Sequence, residues 1–474
     1  MPSPPTPSRR GARATPRGRG RGVALVLVFL VGAVAIGGCT HGISDPPGPT
    51  PFGSASAPSP GTPPVLLTTA VSDLLRRRAG AVVAGDRAAY AATVADPASV
   101  AGRRQLDSYR AARALLVSRL VVGAPAVDLV EGSPGTGEAA APDGAARSAT
   151  GPSTNPSPSP SGPLRATAEV DVRYRVDDLD RGDRVARLAY DLVRGEAGWK
   201  VAAERPVGTG ATAPWVAMPA LRVSRGEHAV VAGTVPDARR SEHVAVVDRA
   251  LPGLRSAWTD APARVLVLAP STAAEADALL GRISTAGAAP VAATTEGPTG
   301  AAGTATGDRI VLDPAAFGRL TPSGRDVVLT HELAHVAVRA TVPGRPAAWL
   351  AEGYADHVGY ARADVPAGRL LAPLVSSLRT GHGPTGLPTA ADLQPTAGDV
   401  EVPYLGAWQA VELLAAHHGE AALRRLVRAG SSTGSAADAE ATTDAALVSV
   451  LGTSRAELTD AWLTRLGQLS TNAR

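Results

Sequence analysis

The chain has a single cysteine, Cys39, and a single lysine, Lys200, and only nine histidines among 474 residues. One cysteine excludes an intramolecular disulfide, a cysteine-ligated zinc site and thiol catalysis. One lysine against 46 arginines reflects GC-rich coding rather than an arginine-based function. Charged residues make up 19% and apolar residues 44%, which excludes both a polytopic membrane protein and a wholly disordered one. Nucleotide-binding and serine-nucleophile patterns are missing too: there is no G-x-x-x-x-G-K-[ST] and no G-x-G-x-x-G opening a helix after a strand, and the one G-x-S-x-G, at Gly430–Gly434, follows no expected strand and so is no nucleophile elbow.

The net charge of +4 comes from the leader. Six of the 47 basic residues (Arg9, Arg10, Arg13, Arg17, Arg19, Arg21) precede the first apolar run, and no acid does, so the remainder holds 41 basic against 43 acidic residues. Such a body has no bulk attraction to nucleic acid, and no basic stripe with interleaved aromatics is present. No nucleic-acid partner is expected. Val23–Gly38 is an uncharged apolar run of sixteen residues, short for a membrane span and right for a signal-peptide core. It ends in Ile36-Gly37-Gly38-Cys39, which resembles the lipobox of bacterial lipoproteins. That resemblance implies cleavage before Cys39, a lipid on its sulfur and a body held at the outer face of the cytoplasmic membrane. An uncleaved N-terminal anchor with an incidental cysteine is the alternative.

The 51 glycines and 41 prolines, about a fifth of the chain, predict long linkers. Residues 1–39 read as the leader and 40–64 as a disordered tether, extended by its prolines. Residues 65–205 read as a small α+β domain with helices over Leu66–Val83 and Arg103–Leu116. Alternating residues from Ala168 to Val176 then mark a half-buried strand, and Val185–Val193 and Trp199–Ala203 follow as strands. The order resembles NTF2-like or cystatin-like folds. Residues 132–163 contain no Leu, Ile, Val or Phe, so they are expected to be a disordered insertion between strands.

A second domain is expected over 214–474: a helix at His228–Leu251, a strand at Arg264–Ala269, a helix at Thr272–Ile283, and strands at Pro290–Thr295 and Arg309–Leu312. Helices then run to the end, apart from loops at Thr380–Pro388 and Ser431–Asp444. Ser454 and Glu457 form a capping-box pattern at the last helix.

The chemistry concentrates in His331-Glu332-Leu333-Ala334-His335. Thr321-Pro322 is a helix start, and Val327, Val328, Leu329, Val336 and Val338 supply apolar faces. On a helix the histidines are i and i+4, so both rings reach one zinc ion, and Glu332 sits about 100° round, where it can face an activated water. A catalytic zinc needs a third ligand. The following segment, Trp349-Leu350-Ala351-Glu352-Gly353-Tyr354-Ala355-Asp356, places Glu352 and Asp356 on one helix face. Glu352 would take the metal, and Asp356 would accept the free N–H of a ligating histidine.

H-E-x-x-H followed by W-L-x-E-G on a second helix resembles the gluzincin metallopeptidases. The resemblance is tight over about Arg309–Ala361 and loose from Ala217 onward. It implies an α+β chain with a zincin-like domain (a short mixed sheet, then mostly helices) after the smaller domain. It also implies one Zn²⁺ per chain on His331, His335 and Glu352, Glu332 as general base, and a peptide or protein substrate paired along a sheet edge, for which Pro290–Thr295 is the candidate. Sixteen residues separate His335 from Glu352, slightly fewer than in the best-known members, so the loop Ala340–Arg345 must be tight. Tyr404 resembles the oxyanion-donating tyrosine of related membrane-linked zincins; a packing tyrosine is the alternative. His357, His382, His417 and His418 are not expected to be ligands. The alternative to peptide hydrolysis is a catalytically inactive, surface-tethered binding or scaffold lipoprotein acting through its accessory domain.

Overall fold

The structure, a computed structural model, describes residues 63–130, 163–208, 210–282, 292–361, 363–394 and 400–472. The leader with Cys39, the tether up to residue 62, nearly all of the 132–163 insertion and the start of the expected 290–295 strand lie outside the described residues. Among those residues no helix is long and apolar enough to cross a membrane.

The fold is α+β, as expected. Three helices open it: α1 (Pro63–Ala84), α2 (Arg87–Ala92) and α3 (Val100–Ala114). An antiparallel sheet follows, made of β1 (Val117–Val122), β2 (Ala126–Val130), β3 (Arg165–Val176), β4 (Arg184–Gly195) and β5 (Gly198–Pro206). The long β3 pairs with β4 along one side and with β1 and β2, end to end, along the other. Its even-numbered apolar residues are buried and its charged ones face out, which is the alternation read from the sequence. β1 and β2 escaped that reading because most of their side chains are exposed, leaving no apolar period to detect.

The short α4 (Pro214–Ala217) leads into a second sheet of β6 (Arg222–Arg225), β7 (Ala229–Gly233), β8 (Val265–Ala269), β9 (Ala293–Glu296) and β10 (Arg309–Leu312). Its order is β6-β7-β8-β10-β9, parallel in the centre and antiparallel at both edges. Between its strands lie α5 (Asp237–Ala257) and α6 (Ala273–Leu280). The expected helix at His228–Leu251 is therefore corrected: its first part is β7, and the helix starts at Asp237. All five β7 residues are buried, so the strand is apolar on both faces and offers no period-2 signal.

The rest is helical: α7 (Pro314–Arg319), α8 (Pro322–Thr341), α9 (Ala348–Tyr360), α10 (Ala367–Leu370), α11 (Ala372–Arg379), α12 (Glu401–Ala429), α13 (Ala436–Ala446) and α14 (Arg455–Asn472). Ser454 and Glu457 cap α14 as their spacing implied. The Ser431–Asp444 loop is a second correction, because α13 fills most of it. That helix has no large apolar residue and is held by a Ser435–Asp438 capping box and by buried Thr443.

The two sheets do not belong to separate cores. Alternate residues of the second sheet face opposite ways. Val231, Val265, Val267, Ile310 and Leu312 pack into the core around α5 and α8. Val230, Leu266, Leu268 and Val311 share a core with Leu74, Leu75, Val172, Tyr174 and Trp215 of the N-terminal lobe. Deleting residues 63–206 would expose those four side chains, at ~1.5–3 kcal/mol each, roughly a whole domain's net stability. The remainder is expected to lose near-UV circular dichroism and become protease-sensitive. A fragment starting at 210 with native-like near-UV signal would contradict the shared core.

Candidate metal centre

α8 begins where Thr321 Oγ1 accepts from Gly324 N at 3.1 Å, with Pro322 in the first turn. Every residue from Val327 to Val338 is buried, since one face of the helix lies under the second sheet and another packs on α9. The turn between these helices is tight, as its length required. Gly344 has φ +77°, and a Cβ there would meet the Ser432 carbonyl at 2.2 Å. α9 in turn lies against α12, where a Cβ on Gly353 would come within 2.5 Å of Ala407 O. The glycine after Glu352 is thus the point at which α12 comes close enough to bring Tyr404 to the site.

The expected residues converge. His331 Nε2 and His335 Nε2 lie 3.0 Å apart, and each is 3.4 Å from Glu352 Oε2. A tetrahedral ion with bonds of ~2.0–2.1 Å has ligand–ligand edges of about 3.3 Å, so the three atoms already mark one face of such a site. His331 Nδ1 lies 2.9 Å from Asp356 Oδ1, which takes its N–H and leaves Nε2 free for a metal. All four side chains are buried. Glu352 Oε2, Glu332 Oε1 and Asp356 Oδ2 have no hydrogen-bond partner among the described residues. A carboxylate oxygen buried without a partner costs about 1–3 kcal/mol or more, which a bound cation at Glu352 would offset. The His331–His335–Glu352 group could therefore hold a metal ion.

Electrostatics agree with that donor set. In the metal-free protein, burial works against a charged His331, but the Asp356 and Glu352 carboxylates outweigh it and raise the imidazole to about 10. Burial likewise opposes a charged Glu352, yet His335 and His331 bring it down to about 2. Burial dominates at Asp356 and raises it, with His331 pulling the other way. Asp356→Asn should weaken metal affinity about 10–100-fold while Glu352→Ala abolishes binding, measured by competition with a chromophoric chelator. Unchanged affinity in Asp356→Asn would remove the residue from the centre.

Glu332 sits at 1% exposure, with Oε2 accepting the Thr295 hydroxyl at 2.6 Å. Thr295 is in β9, the edge strand expected beside the site. Sequence reasoning found the strand but not the hydroxyl, because Thr294-Thr295-Glu296 carries no motif. The neighbouring loop 297–308 is tied to α8: Arg339 donates to Asp308 at 2.8 Å and to Gly297 O at 3.1 Å. Tyr404 lies in the first turn of α12. It is 3% exposed, and burial pushes its phenol well above the usual range, reinforced by the Glu352, Asp356 and Glu332 carboxylates. With His335, Glu352, Val338, Leu393 and Glu440 it lines a cavity of ≈ 90 Å³. Glu332 is not among the residues lining that cavity.

The other histidines stay away from the centre. His357 bridges Glu412 and Glu420, each at 2.7 Å. His382 is exposed, bonded to Thr380. His417 and His418 precede Gly419, where α12 kinks. Compared with known proteins, the chain matches no family model and no curated protein.

Proposed function

We propose that this chain is a zinc-dependent peptidase of the gluzincin type. It would be tethered through a lipid on Cys39 at the outer face of the cytoplasmic membrane and would act on a peptide or protein. The observation carrying this reading is the convergence of His331, His335 and Glu352 around one point, with Glu332 beside them held by one oxygen and free at the other. Two imidazoles and one carboxylate suit zinc rather than magnesium or calcium. When bound, zinc lowers the pKa of a water and polarises the substrate carbonyl.

Each remaining role falls to the chain's own residues. Asp356 keeps His331 in the tautomer that presents Nε2. Glu332 takes the proton from the attacking water at Oε1 and returns it to the leaving amine. The Tyr404 phenol, kept protonated by burial and nearby carboxylates, is a hydrogen-bond donor for the carbonyl oxygen as it gains charge. Among the described residues β9 is an edge strand, and its outer side would take an extended peptide.

One observation favours a second reading, an inactive tethered binding or scaffold protein: the cavity beside the centre is lined by His335 and Glu352 but not by Glu332. Digestion of a peptide library by the purified protein separates the two. Cleavage that stops with chelator and returns with zinc supports the peptidase. Zinc bound at one per chain without cleavage supports the scaffold. Deleting the N-terminal lobe would not separate them, because the shared core makes the deletion a folding defect under either reading.

A further inference from the structure

The N-terminal lobe reaches Glu332 through a short run of contacts. Its β3–β4 turn, residues 177–183, lies against the loop after β9. Arg181 N donates to Thr306 O at 2.6 Å, and its guanidinium to Ala305 O and Ala340 O at 2.8 and 3.1 Å. Asp180 pairs with Arg309 at 3.0 Å, with both side chains at 1–2% exposure. Arg184, at the start of β4, donates to Glu296 Oε1 at 2.5 Å and to Gly307 O at 2.8 Å. Arg309 and Glu296 are register partners on β10 and β9. Glu296 is the last residue of β9, and its neighbour Thr295 is the residue bonded to Glu332.

Among the described residues β9 is a four-residue edge strand with a ladder on one side only, which does little to fix its own position. Here one ion pair from the other lobe, Arg184–Glu296, pins its end, and a second, between the buried side chains of Asp180 and Arg309, pins the register partner on β10. We propose that Thr295 is a positioning residue for Glu332 and that the N-terminal lobe, through Arg184 and Asp180, braces the strand that carries it. This rests on Glu332 being the base. The Thr295 hydroxyl occupies Oε2 and holds the carboxylate by that oxygen, which leaves Oε1 without a partner. The lobe is then part of the catalytic apparatus rather than a separable recruitment module.

The test uses the full chain with two kinds of variant. Thr295→Val keeps the volume and loses the hydroxyl, and Thr295→Ser does the reverse. A charge-assisted hydrogen bond of this kind predicts kcat down about 10–100-fold in Thr295→Val, with KM within about twofold and zinc content unchanged. Thr295→Ser should recover to within about threefold of wild type, which a packing role of the methyl would not give. Glu296→Gln keeps shape and weakens the pair with Arg184. It should speed amide hydrogen exchange over 293–296 about tenfold while the core of α8 is unchanged. Wild-type kcat in Thr295→Val, or failure of Thr295→Ser to recover, overturns the positioning role. Unchanged exchange in Glu296→Gln overturns the brace. If the wild-type chain hydrolyses no peptide, the peptidase reading and the positioning role fall together, and the exchange measurement still decides the brace.

Discussion

Glu332→Gln is expected to leave one metal ion per chain and to reduce peptide hydrolysis about 10³-fold, within the usual 10²–10⁴ range for a general base. The substitution is close to isosteric at a site with 1% exposure, so packing is conserved. Glutamine still accepts the Thr295 hydroxyl that now bonds to Oε2, so the side chain keeps its position. Its amide has no basic oxygen comparable to a carboxylate and cannot take a proton from water. None of the three converging ligand atoms belongs to residue 332, so metal content should not change. Initial rates and elemental analysis on the same preparation check both halves. Retention of more than about a tenth of the activity would rule Glu332 out as the base, since losing a base costs at least ~10²-fold.

What the sequence disclosed and what it hid divide along a physical line. His331, Glu332 and His335 are legible because one helix fixes their relative directions locally. Glu352 and Asp356 are legible because they repeat the same i, i+4 geometry on the next helix. The meeting of the two helices is a long-range event, with Gly359 of α9 close against Val327 O and His331 of α8, at 3.1 and 3.5 Å from where a Cβ would stand. Contacts between distant segments with no periodic or motif signature stayed hidden. Thr295 reaches Glu332 across 37 positions, and Arg184 reaches Glu296 across 112. β7 was misread because a strand buried on both faces has the same composition as a buried helix. The core that the second sheet shares with the N-terminal lobe stayed hidden too. Composition cannot reveal that alternate residues of β8 and β10 serve two neighbours.

His335→Ala and Glu352→Ala are expected to take the metal from about one per chain to background. Loss of one of three protein ligands removes the chelate on which affinity depends. Both variants should still fold, because His335 and Glu352 line the cavity and truncation enlarges existing space rather than opening a void in the core. Wild-type protein should lose several degrees of Tm on chelation, since metal at ~100–1,000 times its Kd contributes about 2.7–4.1 kcal/mol. The variants should show no chelator response. The proton balance gives an independent check. In the metal-free chain His331 titrates at about 10, so at pH 7 it carries the proton that a metal must displace. Metal uptake at pH 7 should release about one proton to a weak buffer, and affinity should rise about tenfold per pH unit until pH approaches 10. Because the raised value comes from Asp356 and Glu352 acting together against burial, Asp356→Asn should lower it and flatten that slope near neutral pH. Pairing a steep wild-type slope with a shallow Asp356→Asn slope requires the metal and the Asp356 bond to meet on one imidazole. A metal bound elsewhere on the surface would show neither.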